Sequence, residues 1–507
     1  MKVRSISQVR FGAVLSYILI VLNAAYALII TPYIIRSIGQ DEYGVYKIVA
    51  SLSSALTILD FGLGGTVQRY VANYRARNQE KDIPNFVGIS LVIGLAFNFV
   101  IILVSIFVYL SISPVYSSSL SATQLLLAHK LFVILVITLL FTVIENVFNG
   151  VITGYNNFIF GNGVKIFSLL IRIILVWISL KIYRSALSIV CISLGLSILM
   201  LFTQVIFIRC RMRIKIRITK WDKGLIIEAG KYTSLMFLTS IATQIFSNVD
   251  NIVIGALCSP SLVTIYSIGL QFFSMFQNLS TGMSGVMLPT ITNAVIQDEK
   301  NNDNSNVVNL VIKAGRIQFC ILGGALVGFI CIGKDFVQQW IGSGYDDVYI
   351  ITLILLIPAM FELCINVCLS ILRAKNKLGF RTIMVFSSAI LNAILTFFLV
   401  RRYSYIGAAV ATAMCYIAVS LIAMNVYYCK VLKLPMKFIY KGIFKRIWLC
   451  LFGSGCVLYC LSKVINGSWI SIFINIFVFC AIYMLSLILF AIDIEQRSRI
   501  PIIKKFL

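Results

Sequence analysis

At 507 residues, 60% of them apolar and only 12% charged, with a mean hydropathy of +0.97, the chain carries more apolar surface than a soluble core can bury. This excludes an ordinary water-soluble protein and makes lipid its solvent. The formal charge of +25 admits nucleic acid as a partner, yet cytoplasmic turns accumulate the same basic balance in a protein that crosses a membrane many times.

Runs of about 20 residues, the length that crosses the hydrocarbon, fall at 11–35, 44–68, 87–110, 131–151, 164–182, 186–208, 233–257, 262–288, 317–333, 348–372, 379–400, 406–428, 447–464 and 469–492. They predict an all-α integral membrane protein of about 14 transmembrane helices. The first run has no small-residue cleavage pattern behind it, so it reads as a span and not as a removable signal peptide. Pro32 and Pro358 interrupt runs, which membrane helices tolerate because neighbouring groups satisfy the freed carbonyls. A turn is expected beside Pro358.

Alternating the spans from an inside amino terminus puts 33 of the 43 basic residues on the cytoplasmic side and 9 on the outer side, with Arg172 inside span five. That bias predicts both termini in the cytoplasm and leaves no need for nucleic acid as a partner. The richest stretch, Arg209, Arg211, Arg213, Lys215, Arg217, Lys220 and Lys223, alternates with Met and Ile directly after span six. Such a stretch fits a juxtamembrane anchor on anionic lipid.

The longest expected outer loop, 111–130, is serine-rich and acid-free, with His129 as a solvated loop residue. A single histidine leaves little for a Ser/His triad. Residues 328–334, GFICIGK, have P-loop spacing, but Asp335 stands where Ser or Thr is required and no strand precedes the run. All 13 cysteines lie beyond residue 190, many inside spans, as with Cys364, Cys368, Cys456 and Cys460. They read as small apolar residues, and no metal or cofactor is expected.

Sliding the chain on itself by 220 residues aligns 32–73 with 252–293 without gaps, pairing Tyr46 with Tyr266, Ser54 with Ser274, Gly62 with Gly282, Gly65 with Gly285 and Asn73 with Asn293. An offset of six spans keeps the orientation, so the repeat is parallel. The expected organisation is a six-helix lobe over 1–208, a basic cytoplasmic linker over 209–231, a second six-helix lobe over 232–430, and an added helix pair with a cytoplasmic tail over 431–507.

Five stretches carry a family resemblance: YGVYKIVASL at 43–52, DFGLGGTVQRYVA at 60–72, DNIVIG at 250–255, GKDFVQQWIGSGY at 333–345 and GAAVAT at 407–412. In these the chain resembles the Wzx-like polysaccharide (O-antigen type) flippases, of the superfamily that also holds the multidrug/toxin exporters and the lipid II flippase. The resemblance implies a MATE-like, V-shaped bundle of two parallel six-helix lobes. It implies that undecaprenyl-diphosphate-linked oligosaccharide repeat units pass from the cytoplasmic to the outer leaflet by alternating access, for O-antigen, lipopolysaccharide or capsule biosynthesis. It further implies the bacterial cytoplasmic (inner) membrane, membrane lipids as surroundings, and a polysaccharide polymerase and a chain-length regulator as partners. An ion-coupled small-molecule exporter of the same fold and a membrane glycosyltransferase or polymerase are the alternatives. An enzyme would place carboxylates or arginines in a sizeable loop.

A carrier of this kind needs a polar cavity. Gln244, Asn248 and Asn251 recur at i, i+4 and i+7 of span seven, beside Thr243, Ser247 and Asp250, and span eight repeats the pattern with Gln271, Ser274, Asn278 and Thr281. These stripes either meet sugar hydroxyls or hydrogen-bond helices to one another. Charges inside spans cost about 2.5 to 3.5 kcal/mol each at the membrane centre. Arg172 either grips a phosphate or pairs with Glu145 or Asp60. Lys47, sharing a face with Ser51 and Ser54, relays a head group or snorkels outward. Asp250, Glu362, Asp60 and Glu145 are candidates for coupling to an ion gradient, the last two also fitting caps or structural pairs. The helix pair 447–492, approached by Lys437, Lys441, Lys445 and Arg446, would suit a groove for a polyprenyl tail.

Overall fold

A computed structural model describes residues 2–60, 62–218, 223–301, 303–375, 377–465 and 467–491. The middle of the expected linker, Lys220 included, and the expected basic tail lie outside the described residues. The helices are α1 (Lys2–Ile38), α2 (Gln40–Ala55), α3 (Leu63–Ala76), α4 (Ile83–Tyr116), α5 (Ala122–Gly154), α6 (Phe158–Ile182), α7 (Ala186–Ile206), α8 (Lys223–Leu257) and α9 (Pro260–Asn301). They continue with α10 (Ser305–Trp340), α11 (Asp346–Cys364), α12 (Cys368–Ala374), α13 (Gly379–Cys415), α14 (Met424–Lys430), α15 (Met436–Phe444), α16 (Ile447–Val464) and α17 (Trp469–Ser486).

Among the described residues, 11 helical segments are long and apolar enough to cross a membrane, and the protein is a multi-pass integral membrane protein. One of them, Gly379–Lys430, is 52 residues long and turns sharply at Ser404, whose φ of 53° is left-handed. Expected spans eleven and twelve meet there. Large side chains such as Phe107 and Phe477 are 72% and 76% exposed, as the lipid-facing side of a helix requires.

The chain forms two compact units, one of residues up to Ser267 with Val385–Ala408, the other of Ile268–Met384 with Ala409–Leu507. In the first, Val67, Val71, Val87, Val147, Val151 and Ile208 form a buried core between α3, α4, α5 and the end of α7. Gly150 lets α5 lie on α3, since a Cβ there would fall on the Gly64 carbonyl. In the second unit, Val311, Ile371, Ile439 and Ile443 gather α10, α12 and α15, and Leu451, Ile472, Phe479 and Tyr483 join α16 and α17 to α10. Arg316 of α10 reinforces that join: its guanidinium donates to the carbonyls of Gly442 (2.9 Å), Lys445 (3.3 Å) and Ala491 (2.9 Å). Carbonyls at helix ends lack intrahelical donors, and a cation there serves both the hydrogen bonds and the helix dipole.

The 220-residue offset recurs in hydrogen bonding. Asn146 Nδ2 donates to Asp60 Oδ2 at 2.8 Å, and at the same offset Asn366 Nδ2 donates to Ser280 Oγ at 3.4 Å.

Four local expectations change. Span two is broken: α2 gives way to a tight 3-10 turn over Leu56–Asp60, and Gly62 is left-handed (φ 67°) before α3, a conformation glycine adopts without penalty. The loop expected at 111–130 shrinks to 117–121, because α4 and α5 extend past their apolar runs and Ser121 with Gln124 forms a capping box. His129 is therefore helical, not a solvated loop residue; its Nε2 lies 2.9 Å from Ser113 Oγ. No turn forms beside Pro358, which sits inside α11, and the break falls at 365–367.

Candidate functional site

Asp250 on α8 is 2% exposed, and Tyr266, Asn392 and Thr396 around it are fully buried. One carboxylate oxygen accepts the Tyr266 hydroxyl. The other accepts Asn392 Nδ2 at 3.2 Å and Thr396 Oγ1 at 2.8 Å. Asn392 and Thr396 are four residues apart on α13, hence on one face of an otherwise apolar stretch. Hydrogen bonds to a carboxylate are the stronger kind, more so in a low-dielectric interior. A single carboxylate among neutral oxygens suits a proton or a hard monovalent cation by charge. Among the described residues, no group of three His, Cys, Asp or Glu side chains is placed to hold a metal.

The neighbouring amides form a ladder from α8 to α2. Asn251 Nδ2 donates to Ser51 Oγ at 3.1 Å and its Oδ1 accepts from Ser267 at 3.1 Å. Gln244 Nε2 donates to Thr57 Oγ1 at 2.6 Å, while its Oε1 accepts from Asn248 at 2.9 Å and from Ser54 at 3.4 Å. Near the start of α2, Gln40 Nε2 donates to the Ser261 carbonyl at 3.0 Å and Thr264 Oγ1 to the Gln40 carbonyl at 2.7 Å. Two glycines permit this approach. A Cβ on Gly44 would overlap the Pro260 carbonyl, and one on Gly255 would press on the Ile48 side chain. Here the span-seven stripe hydrogen-bonds helices together. Gln271 and Asn278 lie in the other unit, half-buried and exposed respectively.

The cations occupy a second region of the same unit. Arg172 on α6 is half-buried and donates to Ser193 Oγ on α7 at 2.6 Å. It pairs with neither Glu145 nor Asp60. Tyr26 of α1 lies within electrostatic reach of Arg172, Tyr46 and Tyr43. The Lys47 ammonium is 5.2 Å from the Tyr43 ring centre and 6.0 Å from that of Tyr46, toward the start of α2, the direction a snorkelling side chain takes.

The remaining acids are dispersed. Asp60 sits at the break in span two, with one oxygen on Asn146 and the other buried without a hydrogen-bond partner. Glu145 accepts from Gln204 Nε2 at 3.2 Å, with Lys165 near it. Glu362 lies near Ser420, with Arg381 acting on it electrostatically, and its Oε2 is buried without a hydrogen-bond partner.

Sequence reasoning missed Asn392 and Thr396, and saw Tyr266 only as a repeat identity. An amide one turn from a hydroxyl inside an apolar run was the available signal. The offset adds a relation: 46 and 266, 30 and 250, and 172 and 392 are each 220 apart. At this spacing Tyr46 answers Tyr266, Ile30 answers Asp250 and Arg172 answers Asn392.

The sequence pattern of the family described as "Polysaccharide biosynthesis protein" matches residues 11–295, more than half of the chain. The probable flippase AglR of Haloferax volcanii is 24% identical over 413 residues, 78% of this chain and 79% of its own length. Among solved structures, the lipid II flippase MurJ in an inward closed conformation superposes with a TM-score of 0.71 at 17% identity, covering 94% of this chain and 97% of its own. An inward-facing multidrug resistance MATE family transporter of the MOP superfamily gives 0.63 at 13% identity, covering 81% and 94%. These two likenesses establish the fold.

Proposed function

This chain belongs to the polysaccharide biosynthesis protein family, and we propose that it is a flippase for a lipid-linked oligosaccharide. The cargo is an undecaprenyl-diphosphate-linked repeat unit, moved from the cytoplasmic to the outer leaflet of a bacterial inner membrane by alternating access. It serves O-antigen or capsule biosynthesis, handing product to a polymerase and chain-length regulator. Both termini are cytoplasmic. The working parts are the two six-helix lobes, 1–208 and 232–430, joined by the linker 209–231, with the helix pair in 431–507 added.

The observation that carries this reading is the presence of two opposite charges inside the first unit: Arg172 on Ser193 with Tyr26 in electrostatic reach, and Asp250 among Tyr266, Asn392 and Thr396. A guanidinium that stays charged suits a diphosphate. A buried carboxylate whose occupancy changes with a proton or sodium couples the cycle to a gradient. Gln244, Asn248 and Asn251 exchange their α2 hydroxyl partners for sugar hydroxyls, with Lys47 at the margin; in the other unit, Gln271 and Asn278 are further groups for the cargo. Glu362, Asp60 and Glu145 are secondary coupling candidates.

A lipid cargo is favoured over a small molecule by an apolar groove of 470 Å³ along α10, α11 and α16, lined by Phe319, Leu326, Ile357, Phe361, Phe444 and Trp448. It suits a polyprenyl chain that stays in hydrocarbon. The test is the position of lipid-linked repeat units in cells lacking the protein: accumulation on the cytoplasmic side is expected, and normal translocation sinks the reading. Arg172→Ala should block flipping at normal protein levels.

A further inference from the structure

An apolar groove of 290 Å³ lies between α6 and α7, lined by Phe160, Gly163, Val164, Phe167, Leu199 and Thr203 among others. Its flank faces lipid, since Phe202 and Ile206 are 61% and 59% exposed. Phe207 closes one end by stacking on Phe160, with ring centroids 3.6 Å apart and planes 11° from parallel. Next come Arg209 and Arg211, both exposed. Thr203 and Phe207 share a helical stripe. Phe207–Arg211 is a widened π turn, which adds close to one residue per turn and so returns Arg211 to that stripe.

Beyond it, Arg213 is left-handed (φ 56°) and the chain runs on as an irregular strap. Ile214 is buried and Met212 and Ile216 pack on the core of the first unit, while Arg213, Lys215 and Arg217 are exposed. The strap is pinned where the Arg217 N–H donates to the Pro84 carbonyl at 3.3 Å, and where Gly88 leaves no room for a Cβ against Ile218 and the Arg217 carbonyl. Residues 207–218 contain no acid.

We propose that this groove and its basic end form a seat for one anionic phospholipid. An acyl chain lies in the groove, and the phosphate rests on Arg209 and Arg211. Guanidinium groups hold phosphate oxygens through paired, charge-assisted hydrogen bonds. The strap cations then spread over neighbouring anionic head groups. Charge complementarity selects the occupant: a zwitterionic lipid fills the groove equally well but gives five exposed cations no net counter-charge.

The test uses the full chain in lipid nanodiscs titrated with phosphatidylglycerol or phosphatidylcholine, with retained lipid counted by native mass spectrometry. Phosphatidylglycerol should be held at least about tenfold more tightly than phosphatidylcholine. Two variants should each lose that preference. One is the Arg209→Gln, Arg211→Gln double variant. The other is Gly163→Leu, which fills the groove from a position where a Cβ would meet nothing within 4 Å. Equal retention of the two lipids overturns the proposal, as does a preference that survives in both variants. Loss with the arginines but not with Gly163→Leu also overturns it, reducing the effect to surface charge. No cargo is present, so the outcome is separate from that of the flippase reading.

Discussion

Replacing Asp250 by Ala and by Asn should have opposite consequences for stability. In Asp250→Ala, the Tyr266 hydroxyl, the Asn392 amide and the Thr396 hydroxyl lose their acceptor while fully buried. A buried donor left unsatisfied costs about 1 to 3 kcal/mol. Relaxation of the site and the further interactions of Tyr266 and Asn392 offset part of this, leaving an expected loss of about 2 to 4 kcal/mol. Asp250→Asn keeps the shape and an acceptor oxygen for Asn392 and Thr396, and the Tyr266 hydroxyl rotates to accept from the new amide. Three charge-assisted bonds become neutral ones, a loss of about 1 kcal/mol each. The desolvation of a buried carboxylate, several kcal/mol, is removed at the same time. The Asn variant should therefore match or exceed the parent in stability, while its transport no longer responds to an imposed ion gradient. Heating the detergent-purified variants and following the monodisperse fraction measures the first effect. Flipping in vesicles with and without a gradient measures the second. Equal stability of Asp250→Ala and Asp250→Asn would refute the reasoning, because the three donors would then not depend on the acceptor.

Arg316→Ala strips three carbonyls of their donor; it should lower stability by about 2 to 4 kcal/mol and open the 436–491 region to limited proteolysis. Gly44→Val drives a side chain into the Pro260 carbonyl and should cost about 1 to 3 kcal/mol by thermal inactivation. Gly65→Ala, where a Cβ meets nothing, should be neutral or stabilising by about 0.5 to 1 kcal/mol in the same assay. Lys47→Met loses a cation–π contact worth about 0.5 to 1 kcal/mol; flipping that falls by orders of magnitude, at unchanged stability, would assign Lys47 to the head group instead.

The helical class and the positions of the long helices were legible because a transmembrane helix writes a long apolar run into the sequence. The ends were not. Apolar runs report the hydrocarbon, whereas α5 continues beyond it on the Ser121 cap and α4 and α10 on packing that no hydropathy pattern records. The break in span two was hidden because Leu56, Ile58 and Phe61 read as continuous greasiness; the run of Gly62, Gly64 and Gly65 after Asp60 was its trace. At the site, Asp250 stood out by the cost of a charge in a membrane helix. Its partners did not, since Asn392 and Thr396 come from a helix more than 140 residues away and sequence periodicity sees only one helix at a time. For Gln244, Asn248 and Asn251 the spacing identified a polar stripe but could not distinguish a wall of cavity from a seam; the hydrogen bonds to Ser51, Ser54 and Thr57 show it as a seam here.

The internal repeat sharpens what the charges mean. Carried beyond the aligned stretches 32–73 and 252–293, the 220-residue offset sets position 172 against 392, as it sets 46 against 266. A shared scaffold fixes where a side chain stands; the sign of its charge fixes what it can hold. By that offset Ile30 answers Asp250 and Asn392 answers Arg172, so each charge faces a neutral residue at its offset position. Two carboxylates would compete for the same ion, and two arginines would each need an anion. On the proposed function, one of each would let an anionic head group and a coupling cation be recognised separately. Arg172→Asn combined with Asn392→Arg tests the division: the guanidinium introduced at position 392 would stand against Asp250 and neutralise it, so gradient dependence should vanish together with head-group binding, whereas retention of either function would show that the two charges do not divide the work.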